Sequence, residues 1–119
     1  MKWYLAKLVY QIICGNGEHT PQFDEQLRLI EAGDETEALE KAIRIGYAEE
    51  TFFFNNKQEL VQWKFVDVSE RYLLQQLIDG AEMYSRITET DDAAAYIEQV
   101  HLRAASLKEK TTQQLLHLI

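Results

Sequence analysis

The chain holds 119 residues, enough for one domain built around one hydrophobic core. Apolar residues make up 46% and charged residues 27%, with 5 glycines and 1 proline, which excludes a disordered, collagen-like or linker-rich chain. Lys and Arg number 12 against 20 Asp and Glu, a net charge of −8, and a chain this acidic lacks the basic face that nucleic-acid phosphates require.

The single cysteine, Cys14, cannot close a disulfide within the chain, which points to a reducing compartment, the cytoplasm. Residues 3–14 are largely apolar, but Lys7 and Gln11 interrupt them and no small-residue cleavage pattern follows, so they do not read as a signal peptide. No run reaches the ~18 apolar residues of a transmembrane helix, and no membrane association is expected.

Residues 2–14 predict a strand, rich in β-branched and aromatic side chains and free of turn formers. Trp3, Leu5, Val9 and Ile13 alternate with Tyr4, Ala6, Leu8, Tyr10 and Ile12, so both pleat faces are apolar, the pattern of a central strand covered on both sides. Gly15, Asn16 and Gly17 form a turn, and residues 22–31 a second strand, antiparallel to the first. Phe23, Leu27 and Leu29 share one face of it, interrupted by Glu25, and Gln22, Asp24, Gln26 and Arg28 share the other. Asp34 then caps a helix, with Glu37 completing an acidic capping box, Ala38, Leu39, Ala42, Ile43 and Ile45 on the apolar side, and Gly46 as the stop.

Residues 51–54 predict a short strand and 60–68 another, with Val61, Trp63 and Phe65 on one face and Leu60, Gln62, Lys64, Val66 and Val68 on the other. Residues 70–78 fit either a helical turn or a strand extension; Asp79 and Gly80 signal a turn. Residues 82–88 alternate as an outer strand would. Thr90 is placed to cap a last helix with a stripe of Ala94, Ile97, Val100, Ala104 and Leu107. Thr111 and Thr112 weaken its helix propensity, so 113–119 reads as a separate turn or a frayed end. The whole predicts a single α+β domain over 1–119, a mainly antiparallel sheet with two helices packed on one face and residues 108–119 as a loose tail.

Catalytic patterns are absent. The Gly15, Asn16, Gly17 cluster lacks a third glycine and leads into a strand, so it is a turn and not a phosphate loop. His19, His101 and His117 are far apart in sequence; His19 reads as a solvated loop residue and Cys14 as a small hydrophobe rather than a nucleophile. No metal or other cofactor is expected. Asp67, Glu70, Asp79 and Glu82 form the one acidic set that could converge at a sheet end, as paired carboxylates for a small hydrolase or a metal-assisted enzyme; the plainer reading is acidic residues populating turns.

The opening residues Trp3 to Val9, the segment Phe23 to Ile30, the helix residues Glu37 to Ala42 with Gly46, then Val61 to Val68 and Asp79 to Glu82 resemble, in order, a bacterial domain-of-unknown-function family numbered 4288. The resemblance covers roughly residues 3–90 and stops before the final helix. It implies a bacterial, intracellular source and supplies no activity, cofactor or catalytic residue.

The leading expectation is therefore a non-enzymatic interaction module acting through a protein surface, its partner a second copy of the chain or another protein. Trp3, Tyr4, Tyr10, Phe52, Phe53 and Phe54 are the candidate surface, because one layer of helices covers one sheet face only. An apolar face of the first strand or of residues 52–54 should then be buried against a partner, unless 70–78 or 113–119 folds over it.

Overall fold

The computed structural model describes residues 1–117. They form, in chain order, β1 (Lys2–Cys14), β2 (Gln22–Ala32), α1 (Glu35–Ala48), β3 (Thr51–Phe54), β4 (Leu60–Leu74) and α2 (Ala93–His117). The strands make one four-stranded sheet in the order β2-β1-β4-β3, and every pairing is antiparallel, so the fold is of the α+β class. The chain divides into two compact units, Met1–Ser85 with the sheet and α1, and 86–119 with α2.

The core of the first unit lies between α1 and one sheet face. Tyr4, Ala6, Leu8 and Tyr10 of β1 point there, joined by Ile30 and Ala32 of β2, Phe65 of β4, and Ala38 and Ala42 of α1. Alternation puts Trp3, Leu5, Lys7, Val9 and Ile13 on the opposite, open face. Tyr4 and Tyr10 are each only 1% exposed. They therefore lie beneath α1 and cannot line a contact surface of the folded protein.

The start of α1 follows its sequence. Asp34 accepts the Glu37 N–H at 2.8 Å, and the Glu37 carboxylate reaches back to the Gly33 N–H, also at 2.8 Å. Asp34→Ala should cost about 1 kcal/mol, the usual value of a capping side chain, read as a lowered denaturant midpoint with an unchanged slope. The end of α1 differs from expectation. Gly46 does not stop the helix, which runs on to Ala48. It lies on the buried line of Ala38 and Ala42, where a Cβ would stand 2.3 Å from the Phe65 ring. Tyr10 donates its hydroxyl proton to the Gly46 carbonyl at 2.8 Å. The glycine is there for close approach of helix and sheet.

Burial pushes the Tyr10 phenol pKa above its ordinary value; Glu49 reinforces the shift and Arg28 opposes it. The unfolded chain thus releases this proton first as pH rises. The stability from keeping Tyr10 neutral is complete below about pH 10 and is lost as pH climbs through the higher folded-state value. Alkaline unfolding should be measurably less steep in Tyr10→Phe.

In β4 the strict alternation predicted for 60–68 breaks. Lys7 pairs with Glu70 and Leu8 with Val68, leaving Ser69 as an extra residue; Val9 pairs with Asp67 and Tyr10 with Phe65, leaving Val66. Each bulge changes which parity faces the core. Val68 consequently packs with Phe65 on the helix side instead of opposing it. The ambiguous segment resolves as strand through Leu74, and Asp79 and Gly80 form the expected turn. Residues 82–88 are not a strand. Residues 81–85 line the cleft beside residues 72–76 instead of joining either edge of the sheet.

In the second unit, Asp92 rather than Thr90 caps α2, accepting the Ala95 N–H at 3.0 Å, while Thr90 accepts the Asp92 N–H at 3.3 Å. The helix does not break at Thr111 and Thr112. Their hydroxyls donate to the Leu107 and Lys108 carbonyls at 3.0 and 3.1 Å, bonding back along the helix. The expected break over 113–119 is absent as far as His117; residues 118 and 119 lie outside the described residues. No residue of α2 is buried.

Candidate interaction surface

The face of the sheet opposite α1 carries one set of exposed apolar side chains. Phe52 is 66% exposed and Phe54 64%, and on β2 Phe23 is 55% and Leu27 and Leu29 each 47% exposed. Pairing places them on one side: Phe52 lies beside Gln62 and Phe54 beside Leu60, while Phe23, Leu27 and Leu29 lie beside Gln11, Lys7 and Leu5. Trp3 and Val9 are half-buried on this face, and Leu5 and Leu74 are buried in it. Phe53 points the other way, as the alternation requires, and leans on Trp63 with ring centroids 5.9 Å apart.

Part of the face is covered from within the unit. Tyr84 stands edge-on to Tyr72 with centroids 5.5 Å apart, and an open cleft of about 440 Å³ runs between residues 72–76 and 81–85. Cover for the second face therefore comes from the chain after β4, yet it leaves β2 and β3 exposed.

Near Tyr84 the Lys7 ammonium binds the Glu70 carboxylate at 3.0 Å. That hydrogen bond is the main reason the Lys7 pKa lies above its ordinary value. The Tyr72 phenol is also raised, first by desolvation and then by its hydrogen bond to Glu70. Glu70 is thus engaged by Lys7 and Tyr72.

The acidic set does not assemble into one site. Asp67 folds onto its own strand and accepts the Val68 N–H at 2.8 Å. Glu70 is engaged by Lys7, Asp79 is exposed in the turn, and Glu82 is exposed along the cleft. Among the described residues no group of three or more His, Cys, Asp or Glu is placed to hold a metal ion. His19 is a clasp rather than a solvated loop residue. Its Nε2 accepts the Cys14 N–H at 3.0 Å and its Nδ1 meets the Thr20 carbonyl at 2.9 Å, so Nδ1 carries the proton. The Cys14 thiol instead takes a weak hydrogen bond from Asn55 Nδ2 at 3.7 Å. No described helix is long and apolar enough to cross a membrane.

The family model described as Domain of unknown function (DUF4288) matches residues 3–85. The chain belongs to the DUF4288 family. No curated protein and no solved structure matches it. The matched span coincides with the first compact unit, so the DUF4288 domain comprises the sheet, α1 and the segment over Tyr72, and it ends where the second unit begins.

Sequence reasoning missed Phe23, Leu27 and Leu29 as surface residues of the DUF4288 domain. The signal was Glu25. A carboxylate in the middle of an otherwise apolar strand face marks that face as wet, and Glu25 is exposed between exposed neighbours.

Proposed function

We propose that the DUF4288 domain of this chain is a cytoplasmic protein-interaction module, not an enzyme, and that the sheet face opposite α1 is its contact surface. The observation that carries this reading is the exposure of Phe52, Phe54 and Phe23 on the sheet face that α1 does not pack against. Aromatic side chains are the residue type that protein contacts concentrate, and an apolar patch of this kind is otherwise a solubility liability. The engagement of Asp67 and Glu70 in structural hydrogen bonds also supports it, since a general acid or base needs a free carboxylate.

Photo-crosslinking tests the reading. A benzophenone amino acid at Phe52 should give discrete protein adducts in cells, and the same group at Glu40, exposed on the outer side of α1, should not. Equal labelling from both positions would refute the contact surface. Ester or phosphoester hydrolysis by the purified protein that disappears in Glu70→Gln would refute the non-enzymatic part.

A further inference from the structure

The sheet has two free edges, and they are treated differently. Beyond the four residues of β3, the outer edge of β4 is broken by the bulges at Val66 and Ser69. Its amides are also occupied: the Glu50 carboxylate takes the Phe65 N–H at 2.8 Å and Asp67 takes the Val68 N–H at 2.8 Å. Bulges and inserted charges are the usual devices that keep a strand edge from pairing. From Gln22 to Ile30 the outer edge of β2 carries charges of both signs, Asp24, Glu25 and Arg28, but it has no bulge and no described side chain takes one of its amides. Its register with β1 runs without a shift over the whole strand. No described residue pairs with its far side through the backbone, and only the Glu31 carbonyl is tied off, by Lys41 Nζ at 3.0 Å.

We infer that β2 pairs antiparallel with β2 of a second copy of this chain, about a two-fold axis centred on Gln26, joining the two sheets into one. This goes beyond the proposed function, since it places a second copy at the β2 edge of the sheet rather than on its open face. The register follows from the side chains. A two-fold perpendicular to the sheet keeps like faces together and sets residues opposite each other in pairs. Centred on Gln26, Asp24 falls opposite Arg28 of the second copy, and Arg28 opposite its Asp24, on the helix side. On the open face Phe23 falls opposite Leu29, and Glu25 opposite Leu27. Centring on Asp24, Glu25 or Arg28 would set like charges against each other. Centring on Leu27 would set Phe23 against Glu31 and Asp24 against Ile30. Only the Gln26 register offers two attractive charge pairs and two apolar pairs at once.

The groups are ready for these roles. Asp24 already accepts from Gln26 Nε2 at 2.7 Å and from Trp63 Nε1 at 3.2 Å, which fixes its carboxylate and leaves acceptor capacity. Arg28 is held by Gln26 Oε1 at 2.8 Å and by Glu49, so neither side chain has to be ordered on association. The exposed apolar side chains of β2 then become continuous across the join.

Sedimentation of the full chain tests the pairing. The wild-type protein should be a dimer. Asp24→Lys and Arg28→Glu should each be mainly monomeric, because two like-charged pairs replace two attractive ones, with the dimer Kd raised about tenfold or more. An equimolar mixture of the two variants should dimerise again, since each restores the other's partner. Leu27→Lys, a change at an exposed side chain, should tighten the dimer by facing Glu25 of the second copy, and it keeps the test decisive if either charge reversal fails to fold. A monomeric wild-type protein, a mixture that stays monomeric, or a Leu27→Lys dimer weaker than wild type would overturn the inference. If association fails while adducts from Phe52 to other proteins persist, the contact surface stands and only the second copy falls.

Discussion

Gly46→Ala should destabilise the protein by about 2 kcal/mol, although alanine is the better helix former by about 1 kcal/mol. The added methyl would meet Phe65 Cε1, Cζ and Cδ1 at 2.3, 2.4 and 2.6 Å, distances no packed carbon tolerates. The ring cannot swing aside cheaply, because Tyr10 and Tyr47 hold it with centroids 5.5 and 4.8 Å away. The helix must therefore lift, which also stretches the hydrogen bond from Tyr10 to the Gly46 carbonyl. For a domain of this size the loss should appear as a fall in Tm of about 10 °C. A Tm equal to wild type would mean that α1 does not sit this close to the sheet.

Phe65→Ala should cost more, about 3–5 kcal/mol. Phe65 is buried at the meeting point of β4, α1 and the Tyr10 ring, and truncation leaves a cavity that the small residues Ala38, Ala42 and Gly46 cannot fill. The two changes should not add. In the double variant the methyl introduced by Gly46→Ala enters the space the ring has left, so the combined loss should fall short of the sum by about 1 kcal/mol or more. Urea unfolding of the four proteins of this cycle measures the coupling directly, and strict additivity would place Gly46 and Phe65 apart.

The Gly46 result shows what a local reading of sequence can miss. Glycine near the end of an apolar-periodic segment signals a helix stop, and that inference failed because the constraint on Gly46 comes from Phe65, distant along the chain. The same limit explains β4. Alternation reads the faces of β1 and β2 correctly because their pairing has no shift, but in β4 two extra residues change parity, and nothing in the residues around Val66 and Ser69 marks a bulge. What is encoded locally was legible: the Asp34 cap, the turn at Gly15 to Gly17, the strand over 51–54 and the antiparallel connections. At the candidate surface, alternation separates Phe53 from Phe52 and Phe54 but does not say which side is open, and all three are exposed. Tyr4 and Tyr10 could not be sorted from Trp3, because both faces of β1 are apolar and only the position of α1 decides which of them is core.

The two central strands differ in length. β4 spends 15 residues alongside the 13 of β1, and the bulges at Val66 and Ser69 account for the surplus. These two positions are slack in the chain. Deleting Ser69 would leave Val68 and Glu70 as direct neighbours, each still on its present side, and deleting Val66 would do the same for Phe65 and Asp67. A deletion inside β2, which has no slack, would send every later side chain of that strand to the wrong side. Length variation among DUF4288 sequences should therefore be absorbed in the middle of β4 and be absent from β2.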